Sequence, residues 1–297
     1  MRMWWRAIIL AVSSMTAIPC QAQELPFAAA GEPVVIGQGY DVPSQAMRGL
    51  RRVNIMLPTD YDDPEQANAK YPVLYLLDGG SGWQDFAHIA SMVQQGGTWG
   101  ANVPMIVVGI QSEDRRAEFT QPSSDPAEIK DFPTSGDADT FRRFLVEELR
   151  PAIDAIYRTK GDNAVMGESL AALFVVDVAL RHAEDFSHYI AISPSLWWDG
   201  GNLPRDARTL LSVSQQPERS IWLSMADEGG AMQQGMDRLV EALKANQNSS
   251  INWDYTAFPN ERHATIYHPA ATQAIRSMFP PQPTNDEEVA SEIGSQG

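Results

Sequence analysis

The chain has 297 residues, of which 43% are apolar, 9% aromatic and 20% charged. This is a globular composition, and it excludes a collagen-like or wholly disordered chain. The length suits one large α/β domain or two small ones, with a sizeable core. Thirty-eight acids against 22 bases give a net charge of -16, and so acidic a chain repels nucleic acid and anionic lipid.

Residues 1–22 read as an export signal. Arg2 and Arg6 form a basic start, Ala7–Ile18 is apolar, and Cys20-Gln21-Ala22 sets small residues at the two positions a signal peptidase reads, with cleavage after Ala22. The apolar stretch is too short to span a bilayer, and Pro19 before Cys20 is a poor fit to lipoprotein processing. Cleavage removes the only cysteine and two bases, leaving 20 bases against 38 acids, or -18. The mature chain then has no disulfide, no thiolate metal site and no cysteine nucleophile. The expected location is the periplasm or the extracellular medium, with no stable membrane anchor.

Residues 23–50 read as irregular. Arg52–Leu57 alternates, with Val53, Ile55 and Leu57 on one face, and predicts a half-exposed strand ending at Pro58. Val73–Leu77 and Met105–Ile110 are short continuous apolar runs, as in strands buried on both faces of a parallel sheet. Asp139–Tyr157 carries Phe141, Phe144, Leu145, Leu149, Ile153 and Ile156 at helical spacing, and Pro151 within it predicts a kink or two short helices. Further strands are expected at Ala164–Met166, Tyr189–Ser193, Ile221–Ala226 and Ile251–Phe258, and helices at Leu170–His182, Met232–Ala245 and Pro269–Phe279. This alternation predicts an α/β fold, a mostly parallel sheet with helices on both faces, over residues 23–279. Residues 113–138 and 194–220 are long for plain connections and are expected to shape a site. Residues 280–297, with three prolines, four acids and little apolar content, read as a disordered acidic tail.

The strongest local signal is Gly167-Glu168-Ser169-Leu170-Ala171, between a predicted strand and a predicted helix. The nucleophile elbow of α/β-hydrolases, G-x-S-x-G, has this context. Its serine is held in strained backbone, so the residues two positions either way must be small. Gly167 meets that condition and Ala171 nearly does. The same turn exposes the hydroxyl and aims the Leu170 N–H at the place where an oxyanion forms. An ordinary turn with Ser169 as a helix cap accounts for the pentapeptide equally well, so the reading depends on its partners.

Serine needs a base, and there are five histidines. His88 precedes the serine, and His182 and His188 flank the end of the following helix. His263 lies between the last strand and the last helix, where the chain order serine, acid, histidine puts the base. His268 sits beside Pro269 at the helix start, and the placement favours His263. The acid should follow Ile221–Ala226, where Asp227 and Glu228 stand together. Either can hold the imidazole tautomer; Glu228 is preferred, with Asp227 the alternative. Asp254 is expected on the exposed face of a strand. The loop Asp78-Gly79-Gly80-Ser81-Gly82-Trp83 is the candidate source of a second oxyanion donor, from Gly79 or Gly80, although a plain turn explains its glycines as well.

At this point the chain resembles the esterase family of α/β-hydrolases that includes siderophore esterases, S-formylglutathione hydrolase, feruloyl esterases and the antigen 85 mycolyltransferases. The resemblance is carried by Leu76-Leu77-Asp78-Gly79, Val108-Gly109-Ile110 with Asp114-Arg115, Gly167–Phe174, Ser193-Pro194-Ser195-Leu196-Trp197-Trp198 and Glu261-Arg262-His263-Ala264. It spans roughly residues 30–279 and is closest to the siderophore-esterase branch. It implies an α/β-hydrolase fold, Ser169 as nucleophile, His263 as base and no cofactor. Family members usually carry glycine where this chain has Ala171 or Ala172, and some siderophore-type relatives work with a Ser–His pair, which makes Glu228 the least secure assignment.

Trp197 and Trp198 are adjacent, so in a regular element they cannot both face the core, and one is a candidate for lining an acyl or aryl pocket. Arg115 and Arg116 are candidates for an anionic substrate group, although a salt bridge is the plainer role for at least one. No metal-binding spacing such as H-E-x-x-H and no phosphate-cradling glycine motif occurs. The expected activity is hydrolysis of a small-molecule carboxylic ester by an exported serine esterase. The alternatives are an acyltransferase on the same scaffold and a non-catalytic binding protein with a hydrolase fold.

Overall fold

The computed structural model describes residues 32–82, 84–212, 218–246 and 250–281. The expected signal peptide at 1–22 lies outside the described residues, as does the expected tail beyond Pro281.

The apolar runs become one eight-stranded sheet. In chain order its strands are β1 (Gln38–Ser44), β2 (Gly49–Met56), β3 (Tyr71–Leu77), β4 (Ile106–Ile110), β5 (Thr159–Glu168), β6 (His188–Ile192), β7 (Arg219–Ala226) and β8 (Ile251–Phe258). The spatial order is β1-β2-β4-β3-β5-β6-β7-β8. The β1–β2 and β2–β4 pairs are antiparallel, and every later pair is parallel. β3, β4 and the second half of β5 are buried along their length because they lie inside the sheet with helices over both faces.

Helices α1 (Phe86–Thr98) and α9 (Tyr267–Met278) cover one face and pack on Leu74, Leu76, Val107 and Met166. The opposite face is covered chiefly by α6 (Leu170–Arg181), together with α2 (Arg115–Phe119), α4 (Ala138–Arg143), α5 (Arg150–Ile156), α7 (Trp198–Leu211) and α8 (Gly230–Ala245). The short α3 (Pro126–Asp131) buries no residue. α6 explains itself: Leu170–Leu180 is buried without a break and apolar at every position but Asp177, so it sits against the centre of the sheet.

Four expectations change. The irregular segment contains β1, a polar edge strand whose alternation is too weak to read. The Arg52–Leu57 strand is not half-exposed; Asn54 and Met56 are buried, because β2 lies between two strands and Met56 packs beneath the α1/α9 layer. The helix around Pro151 does divide into two short helices, α4 and α5, but the division falls at Phe144–Leu149 and not at the proline. A wider π turn at Phe144–Leu149 links α4 to α5, and Pro151 falls in the first turn of α5, where a missing N–H costs least. The long connections carry α2, α3 and α7, the last bent at Asp199–Gly201 by three left-handed residues. Among the described residues no helix is long and apolar enough to cross a membrane.

Candidate active site

Ser169 stands where β5 ends and α6 begins, with φ 61° and ψ -117°. That left-handed conformation is costly for a residue with a side chain, of order 1–3 kcal/mol, and persists only where its surroundings enforce it. Here the Ser169 N–H donates to the Ile192 carbonyl at 3.0 Å, and the Ser169 carbonyl accepts from the Ser195 N–H at 3.0 Å. The small flanking residues are a steric necessity, since a Cβ on Gly167 would lie 2.6 Å from the Ala171 Cβ. The turn therefore tolerates the Ala171 methyl because residue 167 has none.

The loop after β8 brings His263 over the serine. Its shape is fixed locally by Thr265 N–H to Arg262 carbonyl at 2.9 Å and Ile266 N–H to the same carbonyl at 3.0 Å. The Asp227 N–H donates to the Glu261 carbonyl at 3.0 Å, tying the loop after β7 to the histidine loop. In this frame His263 Nε2 lies 3.0 Å from Ser169 Oγ, and its Nδ1 lies 3.0 Å from Glu228 Oε2. An ionised carboxylate can only accept, so Nδ1 carries the hydrogen and Nε2 is left as an acceptor for the serine O–H. The Glu228 side chain is 9% exposed and that of His263 is 45% exposed, so the acid is shielded while the base faces solvent. Asp227 is exposed, and its backbone N–H serves the loop. His268 is drawn instead to Asp85, at 2.9 Å, and Asp254 is exposed on β8.

Of the three backbone donors expected around an oxyanion, only the Leu170 N–H, in the first turn of α6, has no acceptor among the described residues. The Gly79 N–H donates to the Ile110 carbonyl at 2.8 Å. The Gly80 N–H donates to Gln84 Oε1 at 2.8 Å. Both glycines answer to packing: a Cβ on Gly79 would lie 2.4 Å from the Gly109 Cα, and one on Gly80 would lie 2.5 Å from Gln84 Oε1. Gly79 is thus committed to the sheet, and Gly80 to a buried side chain that also accepts from the Ser112 N–H at 3.3 Å.

The expected substrate contacts divide. Arg115 is bound into the fold, its Nε donating to both Asp78 oxygens at 3.0 and 2.9 Å and its Nη2 to the Glu168 carbonyl at 3.4 Å. Arg116 lies over the Phe132 ring at 3.9 Å and keeps a buried Nη1 without a partner. Trp198 is buried and its indole N–H donates to the Gln121 carbonyl at 2.9 Å, so it is a core residue. Trp197 is half-buried, two residues beyond Ser195, and it alone of the tryptophan pair retains a free face.

Two site residues were not singled out by sequence. Ser195, buried, puts its Oγ 3.2 Å from Ser169 Oγ; a serine 26 positions away carries no local signal of that approach. Glu168 lies beside the nucleophile, and burial raises its carboxyl to about 7, against the opposing pull of His263 and Arg115 and with the help of Asp85 and Asp78. Burial likewise raises Asp78, which accepts from Ser112 Oγ at 2.6 Å as well as from Arg115.

The chain is similar to known proteins over most of its length. Residues 44–273 match the family model described as "Putative esterase". The ferri-bacillibactin esterase BesA of Bacillus subtilis is 26% identical over 232 residues, 72% of this chain and 80% of its own. The siderophore triacetylfusarinine C esterase of Aspergillus fumigatus is 20% identical over 209 residues, 67% of this chain and 70% of its own. Among solved structures, an IroE-like serine hydrolase from Shewanella oneidensis superposes with a TM-score of 0.71 at 25% identity, covering 82% of this chain and 80% of that one. The siderophore hydrolase EstB of Aspergillus nidulans shares the fold, with a TM-score of 0.71 at 17% identity over 86% of this chain and 99% of its own. With most of its length inside that family model, the chain belongs to the esterase family of α/β-hydrolases, hydrolases acting on esters, in the branch represented by the siderophore esterases.

Proposed function

We propose that the chain is an exported serine esterase working through an acyl-enzyme, with Ser169 as nucleophile, His263 as general base and acid, and Glu228 as the carboxylate that orients the imidazole. The observation that carries this reading is the unbroken relay from Ser169 Oγ to His263 to Glu228, 3.0 Å at each step. As Ser169 Oγ bonds to the ester carbonyl carbon, its proton passes to His263 Nε2, and Glu228 stabilises the imidazolium. The negative charge moves to the former carbonyl oxygen, where the Leu170 N–H donates; one such donor is typically worth about 3 kcal/mol. Collapse expels the alcohol, which takes the proton from His263. Water then repeats the sequence on the acyl-serine and restores Ser169. A donation from Ser195 Oγ to Ser169 Oγ would leave the nucleophile's own hydrogen pointing at His263, which makes Ser195 a positioning residue.

The substrate class we propose is a bulky small-molecule ester, with a siderophore ester or lactone first. Two of the named relatives are a siderophore esterase and a siderophore hydrolase, and the 45% exposed His263 leaves the serine open from one side. Export rests on the basic start, apolar stretch and cleavage pattern of residues 1–22. A fluorophosphonate should label the mature protein, lose its site in Ser169→Ala and react far more slowly with His263→Ala. An unlabelled wild type would remove the esterase mechanism and leave a binding protein on a hydrolase fold. Product analysis with added alcohols distinguishes water from an alcohol as the acyl acceptor.

A further inference from the structure

Apart from the catalytic relay, two neighbouring residues and a third far away in sequence converge at the first turns of two helices. Asp85 precedes α1, His88 lies in its first turn, and His268 lies in the first turn of α9. Asp85 Oδ1 is 3.3 Å from His88 Nδ1 and 2.9 Å from His268 Nε2. One ligand atom from each of the three lies within 4.8 Å of the others, and the two rings meet edge to face at 4.6 Å. We propose that Asp85, His88 and His268 form a binding site for a borderline divalent transition metal ion, such as zinc, nickel or cobalt, separate from the Ser169–His263–Glu228 relay.

Two of the three spacings match what such an ion needs, and the histidines lie within 4.8 Å of each other. Bonds of about 2.1 Å to nitrogen and oxygen hold ligand atoms roughly 3.0–3.4 Å apart, and the carboxylate already stands 3.3 and 2.9 Å from the two imidazole nitrogens. Two imidazoles and one carboxylate suit zinc, nickel or cobalt better than magnesium or calcium, which prefer all-oxygen shells. The side chains are reachable from solvent, with exposures of 70% for His88, 53% for His268 and 30% for Asp85. Water can therefore complete the coordination shell. A cavity of about 410 Å³, walled largely by apolar side chains such as Ile36, Ile89 and Met92, opens against both histidines.

The local field is close to balanced and does not exclude a cation. Each helix start contributes roughly half a positive charge, so the two together oppose about one unit. Asp85 supplies a full negative charge, and its backbone N–H is bonded to the Asp78 carbonyl at 3.1 Å. Its carboxylate acts on those of Asp78 and Glu168, helping to hold both up. Binding needs no change of fold. The nitrogens facing Asp85 carry hydrogens in the free protein, because a carboxylate only accepts, so binding an ion there moves each hydrogen to the other ring nitrogen. The chain lacks a sequential metal motif because His268 is 183 residues from Asp85.

The test is a calorimetric titration of the tag-free mature protein with zinc chloride at pH 7.5, beside His88→Ala, His268→Ala and His263→Ala. One equivalent should bind, each triad substitution should weaken it at least tenfold, and His263→Ala should leave it unchanged. The cobalt ion should give a visible absorption band that the two triad variants lose. Both triad histidines are exposed, and circular dichroism at matched concentration verifies that the variants remain folded. Absence of saturable binding, binding indifferent to His88→Ala and His268→Ala, or binding abolished by His263→Ala would each overturn the site. Fluorophosphonate labelling reads the esterase mechanism independently, so either proposal can fail without the other.

Discussion

Replacing Glu168 by glutamine should stabilise the protein at alkaline pH and leave it nearly unchanged in acid. In the folded state this carboxyl is moved from the ordinary 4.5 to about 7, mainly by burial. Between those two values the unfolded chain has already lost the proton while the folded chain keeps it. Stability therefore falls as pH rises from about 4.5 to about 7 and is flat above. The displacement corresponds to roughly 3 kcal/mol at about 1.4 kcal/mol per tenfold change. Partial solvent access to the side chain screens the effect, and about 2 kcal/mol is the expected size. Glutamine keeps the shape and cannot ionise. Urea denaturation of wild type and Glu168→Gln at half-unit steps from pH 4.5 to 8.5 should give a difference near zero at the acid end, growing to about 2 kcal/mol in favour of the variant. A difference that stays constant across the series would refute burial as the cause. The same charge favours the imidazolium that develops on His263 during attack, so the stabilised variant should react more slowly with a fluorophosphonate at pH 8.

Other substitutions test the remaining parts of the site. Ser169→Gly should abolish labelling yet raise stability by about 1 kcal/mol in thermal unfolding, because glycine relieves the φ of 61°; Ser169→Ala should lose labelling without that gain. Glu228→Gln should lower kcat by roughly a hundredfold or more through loss of the productive tautomer, whereas Asp227→Asn should leave kcat within about twofold, as steady-state kinetics on an aryl ester would show. Ser195→Ala should lower kcat with little change in KM if it orients the Ser169 hydroxyl, and Ser195→Thr, which restores an Oγ, should recover part of the loss. Gly79→Ala should destabilise the fold by several kcal/mol or prevent expression, since the new methyl would meet the Gly109 backbone at 2.4 Å and backbone cannot step aside.

The sequence by itself determined the class of fold, because a parallel sheet buried on both faces needs continuous apolar runs such as Val73–Leu77 and Met105–Ile110, and those are legible without a structure. The elbow at Gly167–Ala171 was equally legible. Its steric demands fall on residues two positions apart, and the strand and helix around it have strong local patterns. The place of His263 followed from chain order. What lay beyond reach was whatever depends on direction or on distant approach. Asp227 and Glu228 are neighbours of the same chemistry, and only the hydrogen bond joining the β7 and β8 loops decides which carboxylate turns towards the imidazole. Gly79 and Gly80 look like free donors in a glycine-rich loop, yet the Ile110 carbonyl and Gln84 side chain that claim their N–H groups are 31 and 4 residues away. β1 was invisible because an edge strand exposed on both faces for most of its length needs no apolar alternation. Trp197 and Trp198 were known to diverge, but which ring enters the core depends on the Gln121 carbonyl waiting for an indole N–H. The meeting of Asp85, His88 and His268 is likewise a product of tertiary structure: local pattern sets where each helix starts, and only the packing of α1 against α9 sets the two starts side by side.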